Sequence, residues 1–495
     1  MGLEDADATD AGFGTKVRSA LFWRSGGQII AQMVSWTSTI YVMRALDPGD
    51  YGLFAMTQVI LSFMQFLNGY GLVSALVQAE SLSTHQVRQA LGIMLLLNAV
   101  LAAVQLAAAP LAADYYHQPM VADLLRVQAL IYLSTPFTAI PEVLMGRSLD
   151  FRRPAIVGLI AALAAAGVAV AGAILGWGVW TLVFAPIVGF YVRGIGYAFA
   201  TGFVPFPSFD FRGAGWMVTF GVSLLGGQLL WIIQNQADIF IGGRVLPAHE
   251  LGLYSEALFL TQIFVSKFIP PLNDVAFPAY ARMQKDPTRL AASFRRGVRI
   301  LMLISCPLYF GMAAAAGPIV ETLLGAKWLP MADYVRILAL AMPFMTVQVM
   351  FAPLSNALGR PGTTARIYGV GAIIMPVAFL IGIRWGATGL ALAWLAGFPL
   401  LTFATIRIAG KPAGIGVADM VRESAPAVCA SAVMALIVTA VEVLLLPAAL
   451  PAPLRLAVLV AVGGVSYLLP LWIFARPMLG ELFALARRQP AAADA

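Results

Sequence analysis

Arg24, Gln28, Gln32, Ser35 and Thr39 stand four, four, three and four residues apart in the first strongly apolar stretch of the chain. At 100° per residue that spacing puts all five on one face of a helix. The seventh apolar stretch repeats the arrangement with Gln228, Trp231, Asn235 and Asp238, and the second adds Gln58, Ser62 and Gln65, with Asn68 at its edge. A guanidinium fork followed by a ladder of amides suits an anion attached to hydrogen-bonding groups. Inserting an arginine or aspartate near the centre of a membrane helix costs about 2.5 to 3.5 kcal/mol, so such residues persist where something compensates them. Lipid cannot satisfy amides, and the stripes should face a neighbouring helix or a wet cavity. Two structural readings stay open beside the cavity reading. The amides could serve interhelical packing, and Arg24 could snorkel to the headgroups. Asp238 could equally be held in a salt bridge by Arg244 or Arg44.

The other charges divide in the same way. Lys267 and Asp274, seven residues apart on one face, read as a structural ion pair reached through a kink at Pro270 and Pro271. Glu256 is a candidate carboxylate at the cavity rim and, with Asp238, a candidate for ion coupling, whereas Glu442 reads as interfacial. Cys306 and Cys429 fall inside apolar stretches and read as small hydrophobes. His85, His117 and His249 lie in loops, none at metal-ligand spacing from another or from a cysteine. No Gly-rich phosphate loop precedes a Lys-Ser/Thr pair, which excludes ATP hydrolysis by this chain.

These residues are embedded in a chain of 495 residues that is 60% hydrophobic and 11% charged, with a mean hydropathy of +0.84. A helix needs about 20 apolar residues to cross the hydrocarbon layer, and about fourteen such stretches can be drawn. The expectation is an all-α polytopic membrane protein. Lys and Arg gather on one side of that topology at about three to one, which places both termini in the cytoplasm by the positive-inside rule. The net charge of +7 is then topology and contact with anionic lipids rather than a nucleic-acid surface. The N-terminus is acidic and shows no signal-peptide pattern. Residues 1–15 and 481–495 read as cytoplasmic tails, the first disordered. The loops on the far side are short, the longest lying around "PLAADYYHQPMV" at Pro110, and leave no room for the catalytic loop of a membrane-bound polymerase or glycosyltransferase. No enzyme activity is expected.

The chain also repeats itself. Gly26, Gly27, Gln28, Arg44, Leu46, Gly52 and Leu53 match Gly226, Gly227, Gln228, Arg244, Leu246, Gly252 and Leu253. Further on, Arg126 matches Arg336, and Trp177, Gly178, Leu182, Gly189 and Phe190 match Trp385, Gly386, Leu390, Gly397 and Phe398. Each copy holds six spans, an even number, so the copies are parallel repeats about an axis along the membrane normal. The expected organisation is an N-lobe over 16–200, a Pro- and Gly-containing cytoplasmic linker over 201–214, a C-lobe over 215–410, and an additional helix pair over 411–480. Two such lobes can rock about a central cavity.

"DPGDYGLF" from Asp47, "ADIFIGGRVLPAHELGLYSEA" from Ala237 and "FPAYARMQKD" from Phe277 resemble the polysaccharide-transporter branch of the multidrug/oligosaccharidyl-lipid/polysaccharide flippase superfamily. The resemblance spans roughly residues 15 to 480. It implies two six-helix lobes around a cationic cavity in the cytoplasmic (inner) membrane. It also implies export of undecaprenyl-diphosphate-linked oligosaccharide repeat units for O-antigen or exopolysaccharide, with a polymerase and an initiating glycosyltransferase as partners. Arg24 matches in type and region an arginine that lines the cavity of the related lipid II flippases. On this reading Arg24, Gln28, Gln32, Gln58, Gln65, Gln228 and Asn235 bind substrate. Some relatives place a sodium site between an acidic residue of helix 7 and polar groups of helices 11 and 12. Asp238 supplies the first part, but "ARIYGVGAIIMPVAFLIGI" offers no Asn or Asp, so H+ and Na+ both stay open. Glu256 departs from a family position that is often basic. The alternatives are a multidrug antiporter, a membrane-bound polymerase, and a scaffold for polysaccharide assembly.

Overall fold

The computed structural model describes residues 26–68, 76, 82–147, 152–202, 206–215, 225–447, 449–474 and 480. Arg24 and both expected tails lie outside the described residues. The described chain is built from 14 long helices, with no strand among its residues. They are α1 (26–45), α2 (Pro48–Leu67), α3 (Thr84–Tyr116), α4 (Pro119–Arg147), α5 (Arg152–Ile174), α6 (Trp180–Thr201) and α7 (Leu225–Val245). Then come α8 (Ala248–Met283), α9 (Pro287–Ala314), α10 (Ala326–Ala357), α11 (Pro361–Gly382), α12 (Gly386–Thr405), α13 (Val417–Leu444) and α14 (Ala452–Phe474). A short helix, Ala316–Leu324, follows α9.

Local sequence sets the helix starts. Asp47 caps α2 by accepting from the Gly49 amide while Asp50 reaches back to the Asp47 amide, and Pro48 occupies the first helical position, where its missing N–H costs nothing. Ser83 and Gln86 form the same reciprocal cap on α3, and Asp286 with Pro287 opens α9. α3 stops where His117 turns left-handed. Among the described residues, nine segments are long and apolar enough to cross a membrane by these measures, one of them containing both α11 and α12.

The chain divides into two compact units, one of residues 1–229 with 247–252 and the other of 230–246 with 253–495. The division falls inside α7 rather than in the 201–214 segment. In the first unit α3 and α4 close over Val87, Leu91, Met94, Ile140 and Val143, and α4 meets α6 through Leu124, Ile131, Val183 and Ile187. The segment after α6 is fastened to α3. Arg88 Nε donates to the Phe206 carbonyl at 2.9 Å, Gln89 Nε2 donates to the carbonyls of Asp210 and Arg212 at 2.7 and 3.1 Å, and the Ser208 amide donates to the Arg88 carbonyl. A Cβ at Gly92 would strike the Ser208 carbonyl. Gln89→Leu removes two of these bonds, at about 1 kcal/mol each. The expected result is cleavage of 206–212 about tenfold faster in limited proteolysis, with the helical core unchanged.

In the second unit α13 lies along α9, α11 along α12, and α14 against α13. The additional pair is held by Arg295 to Asp419 at 3.2 Å, Arg299 to Glu423 at 3.5 Å, and Tyr467 Oη donating to the Leu303 carbonyl at 2.8 Å. Glu442, read as interfacial, instead pairs with Arg455 at 3.3 Å, both side chains largely buried.

The duplication extends to side-chain contacts. Arg126 pairs with Asp123 at 2.7 Å and the matching Arg336 with Asp333 at 2.8 Å. Gly52 and Gly252 face each other's helix starts. A Cβ on Gly52 would run into the Ala248 carbonyl, and one on Gly252 into the Pro48 carbonyl. Positions 48 and 248 are themselves equivalent in the repeat, so one contact is made twice. Residues 247–252 belong with the first unit, and the contact is internal to it.

Candidate functional site

The polar residues of the first unit fall into two groups. In the first, each side-chain amide N–H has a protein acceptor, while Gln128 Oε1, Asn98 Oδ1 and Asn68 Oδ1 are buried without a partner among the described residues. Gln105 accepts from Tyr132 Oη at 2.6 Å and donates to the Leu125 carbonyl at 2.7 Å, and Gln128 donates to Thr57 Oγ1 at 3.1 Å. Asn98 donates to the Met94 carbonyl at 2.8 Å, and Asn68 to Thr135 Oγ1 at 3.1 Å. Gln105, Gln128 and Asn98 are buried, and these bonds are the interhelical and intrahelical work expected of polar groups in a membrane protein. Their sequence signal is a lone amide on the packed face of a helix, outside any polar stripe.

The second group is the stripe. Gln28 and Gln65 are exposed, Gln32 and Gln58 half-buried, and their side-chain amides make no hydrogen bond among the described residues. Gln228 on α7 is likewise exposed, and Asn235 is half-buried, donating to the Trp231 carbonyl one turn back at 2.8 Å. Gln234, next to it, turns into the protein and fills the space a Cβ on Gly371 would take. Gln28, Gln32, Gln58, Gln65 and Gln228 are therefore not consumed by packing, whereas Asn235 is partly turned into its own helix.

Asp238 is fully buried. Its Oδ2 accepts from Tyr254 Oη of α8 at 2.7 Å and from Trp394 Nε1 of α12 at 3.0 Å, and its Oδ1 accepts from the Ile239 amide at 2.8 Å. The indole N–H is shared, since Trp394 Nε1 also lies 2.8 Å from Tyr254 Oη. Arg244 does not hold this carboxylate; three neutral donors do. Tyr254 and Trp394 were not singled out in the sequence. The repeat carried a clue, because at the offsets of the duplication Asp238, Tyr254 and Trp394 stand where the first copy has Ser38, Phe54 and Pro186. One copy has acquired a charge and two donors that the fold of the other does without.

Of the groups around Asp238, Trp394 cannot ligate a cation. A cation needs lone pairs, and an indole N–H has none to give. Among the described residues no group of three or more His, Cys, Asp or Glu gathers as metal ligands. Glu256 is half-buried and makes no hydrogen bond or ion pair among the described residues. Lys267 and Asp274 do not form the expected ion pair. Both are exposed, and α8 continues through Pro270 and Pro271 as a helix. Seven residues at about 1.5 Å each keep the two side chains two turns apart.

The geometry can be set beside known proteins. Over 323 residues the chain is 26% identical to the succinoglycan biosynthesis transport protein ExoT of Rhizobium meliloti (strain 1021), covering 64% of each chain. It is 21% identical over 387 residues to the lipopolysaccharide biosynthesis protein WzxC of Escherichia coli (strain K12), covering 77% of this chain and 78% of that one. The chain thus spans somewhat less than two thirds of the first relative and more than three quarters of the second. In fold it is similar to the lipid II flippase MurJ in an inward closed conformation, with a TM-score of 0.72 at 12% identity over 92% of this chain and 99% of that one. Residues 42–333 match the polysaccharide biosynthesis protein family, and this multi-pass membrane protein belongs to it.

Proposed function

We propose that the protein is a flippase that moves undecaprenyl-diphosphate-linked oligosaccharide repeat units across the cytoplasmic membrane by alternating access, for surface polysaccharide synthesis. It acts without covalent chemistry, with both termini in the cytoplasm and with a polymerase and an initiating glycosyltransferase as its functional neighbours. The observation that carries the reading is the split between paired and unpaired amides. Gln28, Gln32, Gln58, Gln65 and Gln228 have no protein partner among the described residues, while the buried Gln105 and Gln128 do. An unpaired amide in hydrocarbon costs several kcal/mol, so the stripe belongs against water or a hydroxyl-rich ligand. Arg24 continues its spacing and anchors the diphosphate through its fork. The lipid tail stays in the bilayer, and the polar head travels along the stripe. Asp238 couples transport to a proton, with Glu256 as the second candidate.

The test is the composition of lipid-linked oligosaccharides in a deletion strain. Wild type restores surface polysaccharide and clears the lipid-linked repeat units. Arg24→Ala, and separately Gln28→Leu with Gln32→Leu, insert normally yet leave the intermediates accumulated and surface polysaccharide down about tenfold or more, the loss expected for one charge-assisted contact to phosphate. Unchanged intermediates in the deletion strain, with no redundant flippase present, reject the proposal and put drug efflux first. Full activity of both variants removes the stripe from the substrate path.

A further inference from the structure

A second polar site lies in the second unit and shares no residue with the amide stripe or the Asp238 cluster. Where α13 gives way to α14, a cavity of about 500 Å³ is lined by Arg336 of α10, Glu442 of α13 and Arg455 of α14, with Ala313, Ala314 and Leu446 among its apolar walls. Two guanidiniums and one carboxylate give the lining a net charge of one positive unit at neutral pH. Arg455 spends one nitrogen on Glu442 at 3.3 Å, while its Nε is buried and has no hydrogen-bond partner among the described residues. Arg336 bonds through Nη1 to Asp333, which is exposed and does not line the cavity.

A closed structural ion pair would need neither the space nor the second arginine. Only one carboxylate stands between the two guanidiniums that line the cavity, so a positive charge is left to balance, and an anion small enough to enter between the two arginines balances it. The surroundings of the cavity say what that anion is attached to. Val443 and Leu444 on the adjoining turn of α13 are 73% and 77% exposed, and Leu436, two turns back, is 72% exposed. On a membrane-spanning helix these residues face acyl chains. A ligand with one negative charge at its head and apolar chains below it satisfies both halves of the site.

We infer that this cavity binds the phosphodiester headgroup of an anionic glycerophospholipid, clamped between Arg336 and Arg455 with its acyl chains along Leu436, Val443 and Leu444. The ligand is a resident bilayer lipid rather than the exported cargo, and it ties the additional helix pair to α10. Guanidinium suits this role because its fork takes two phosphate oxygens at once. Glu442 orients Arg455 and opposes the anion, so it limits the affinity. The inference is independent of what the amide stripe transports.

The test is native mass spectrometry of the purified full-length protein titrated with dioleoylphosphatidylglycerol, dioleoylphosphatidylcholine or undecaprenyl phosphate. Phosphatidylglycerol is expected to bind at least about tenfold more tightly than phosphatidylcholine, and Arg336→Gln and Arg455→Gln each lose about tenfold, the order of one charge-assisted contact. Glu442→Gln changes the site in the opposite sense and binds phosphatidylglycerol more tightly than wild type, which keeps the test decisive if an arginine variant misfolds. Equal binding of the two bilayer lipids overturns the inference, as does unchanged or weaker binding by Glu442→Gln. Preferential capture of undecaprenyl phosphate also overturns it, by assigning the site to the carrier lipid.

Discussion

Gly52→Ala and Gly252→Ala are each expected to destabilise the protein by about 3 kcal/mol, the upper end of the range for overpacking. Most overpacked sites relax by moving a side chain. Here the added methyl meets the carbonyl oxygen of Ala248 in one case and of Pro48 in the other, both main-chain atoms in the first turn of a helix. Those turns are fixed in their own right, since Pro48 follows the Asp47 cap and the Leu251 amide donates to the Pro247 carbonyl. Gly146→Ala and Gly158→Ala are the controls, because no heavy atom lies within 4 Å of a Cβ built at either. The measurement is the thermal midpoint of each variant in detergent beside its ability to restore surface polysaccharide. The two repeat glycines lower both, and the controls change neither. The double variant should fall short of the sum, since the two methyls disrupt one shared contact. Wild-type midpoints for Gly52→Ala and Gly252→Ala would remove this contact from the folded ground state.

That contact shows which parts of the structure were legible in advance. The match of Gly52 to Gly252 was visible as a repeat, and the apolar runs gave about fourteen spans where the described residues carry 14 long helices, with ends up to about ten residues off, because length and hydropathy are set by the bilayer while helix ends are set by caps and turns. That the two glycines face each other could not be read, since a repeat says which positions are equivalent and not which ones touch. The polar stripe was legible for a related reason: helical spacing fixes the face a residue shares. It did not reveal that Gln105 and Gln128 would be the amides absorbed into packing, because their partners Tyr132 and Thr57 lie on other helices. The pairing of Lys267 with Asp274 failed on distance, since a shared face at seven residues still means two turns of separation. The partner of Glu442 could not be read because Arg455 lies across the turn between α13 and α14, and a glutamate at a span end looks the same whether paired or solvated. Arg24 lies outside the described residues, and its role stands on the stripe it continues.

Asp238→Asn should fold close to wild type and fail to restore export. The neutral amide has nearly the volume of the carboxyl, keeps an oxygen that can accept from Trp394 or Tyr254, and adds an N–H that can donate to Tyr254 Oη. The expected stability change is therefore small, about 1 kcal/mol or less, the net worth of a typical hydrogen bond. Asp238→Ala differs, because it strands the Tyr254 hydroxyl with no acceptor in a fully buried site, at about 1 to 3 kcal/mol, and leaves a void besides. Together the variants separate two roles. A purely structural carboxyl predicts that activity follows stability, with asparagine active and alanine impaired. A carboxyl that must change charge during the cycle predicts that asparagine is folded and inactive, with surface polysaccharide down at least about tenfold. Trp394→Phe tests the clamp itself, because it removes one donor to Oδ2 while keeping an aromatic ring. Its coupling to Asp238→Asn in a double-mutant cycle of thermal stability should fall within the range of about 0.5 to 3 kcal/mol seen for members of one hydrogen-bond network. The absence of this trio from the first repeat, where Ser38, Phe54 and Pro186 stand in its place, argues for the second role. A fold that tolerates serine, phenylalanine and proline at these positions in one copy does not need a buried carboxylate for its architecture. An active Asp238→Asn would return Asp238 to structure and leave Glu256 as the coupling candidate.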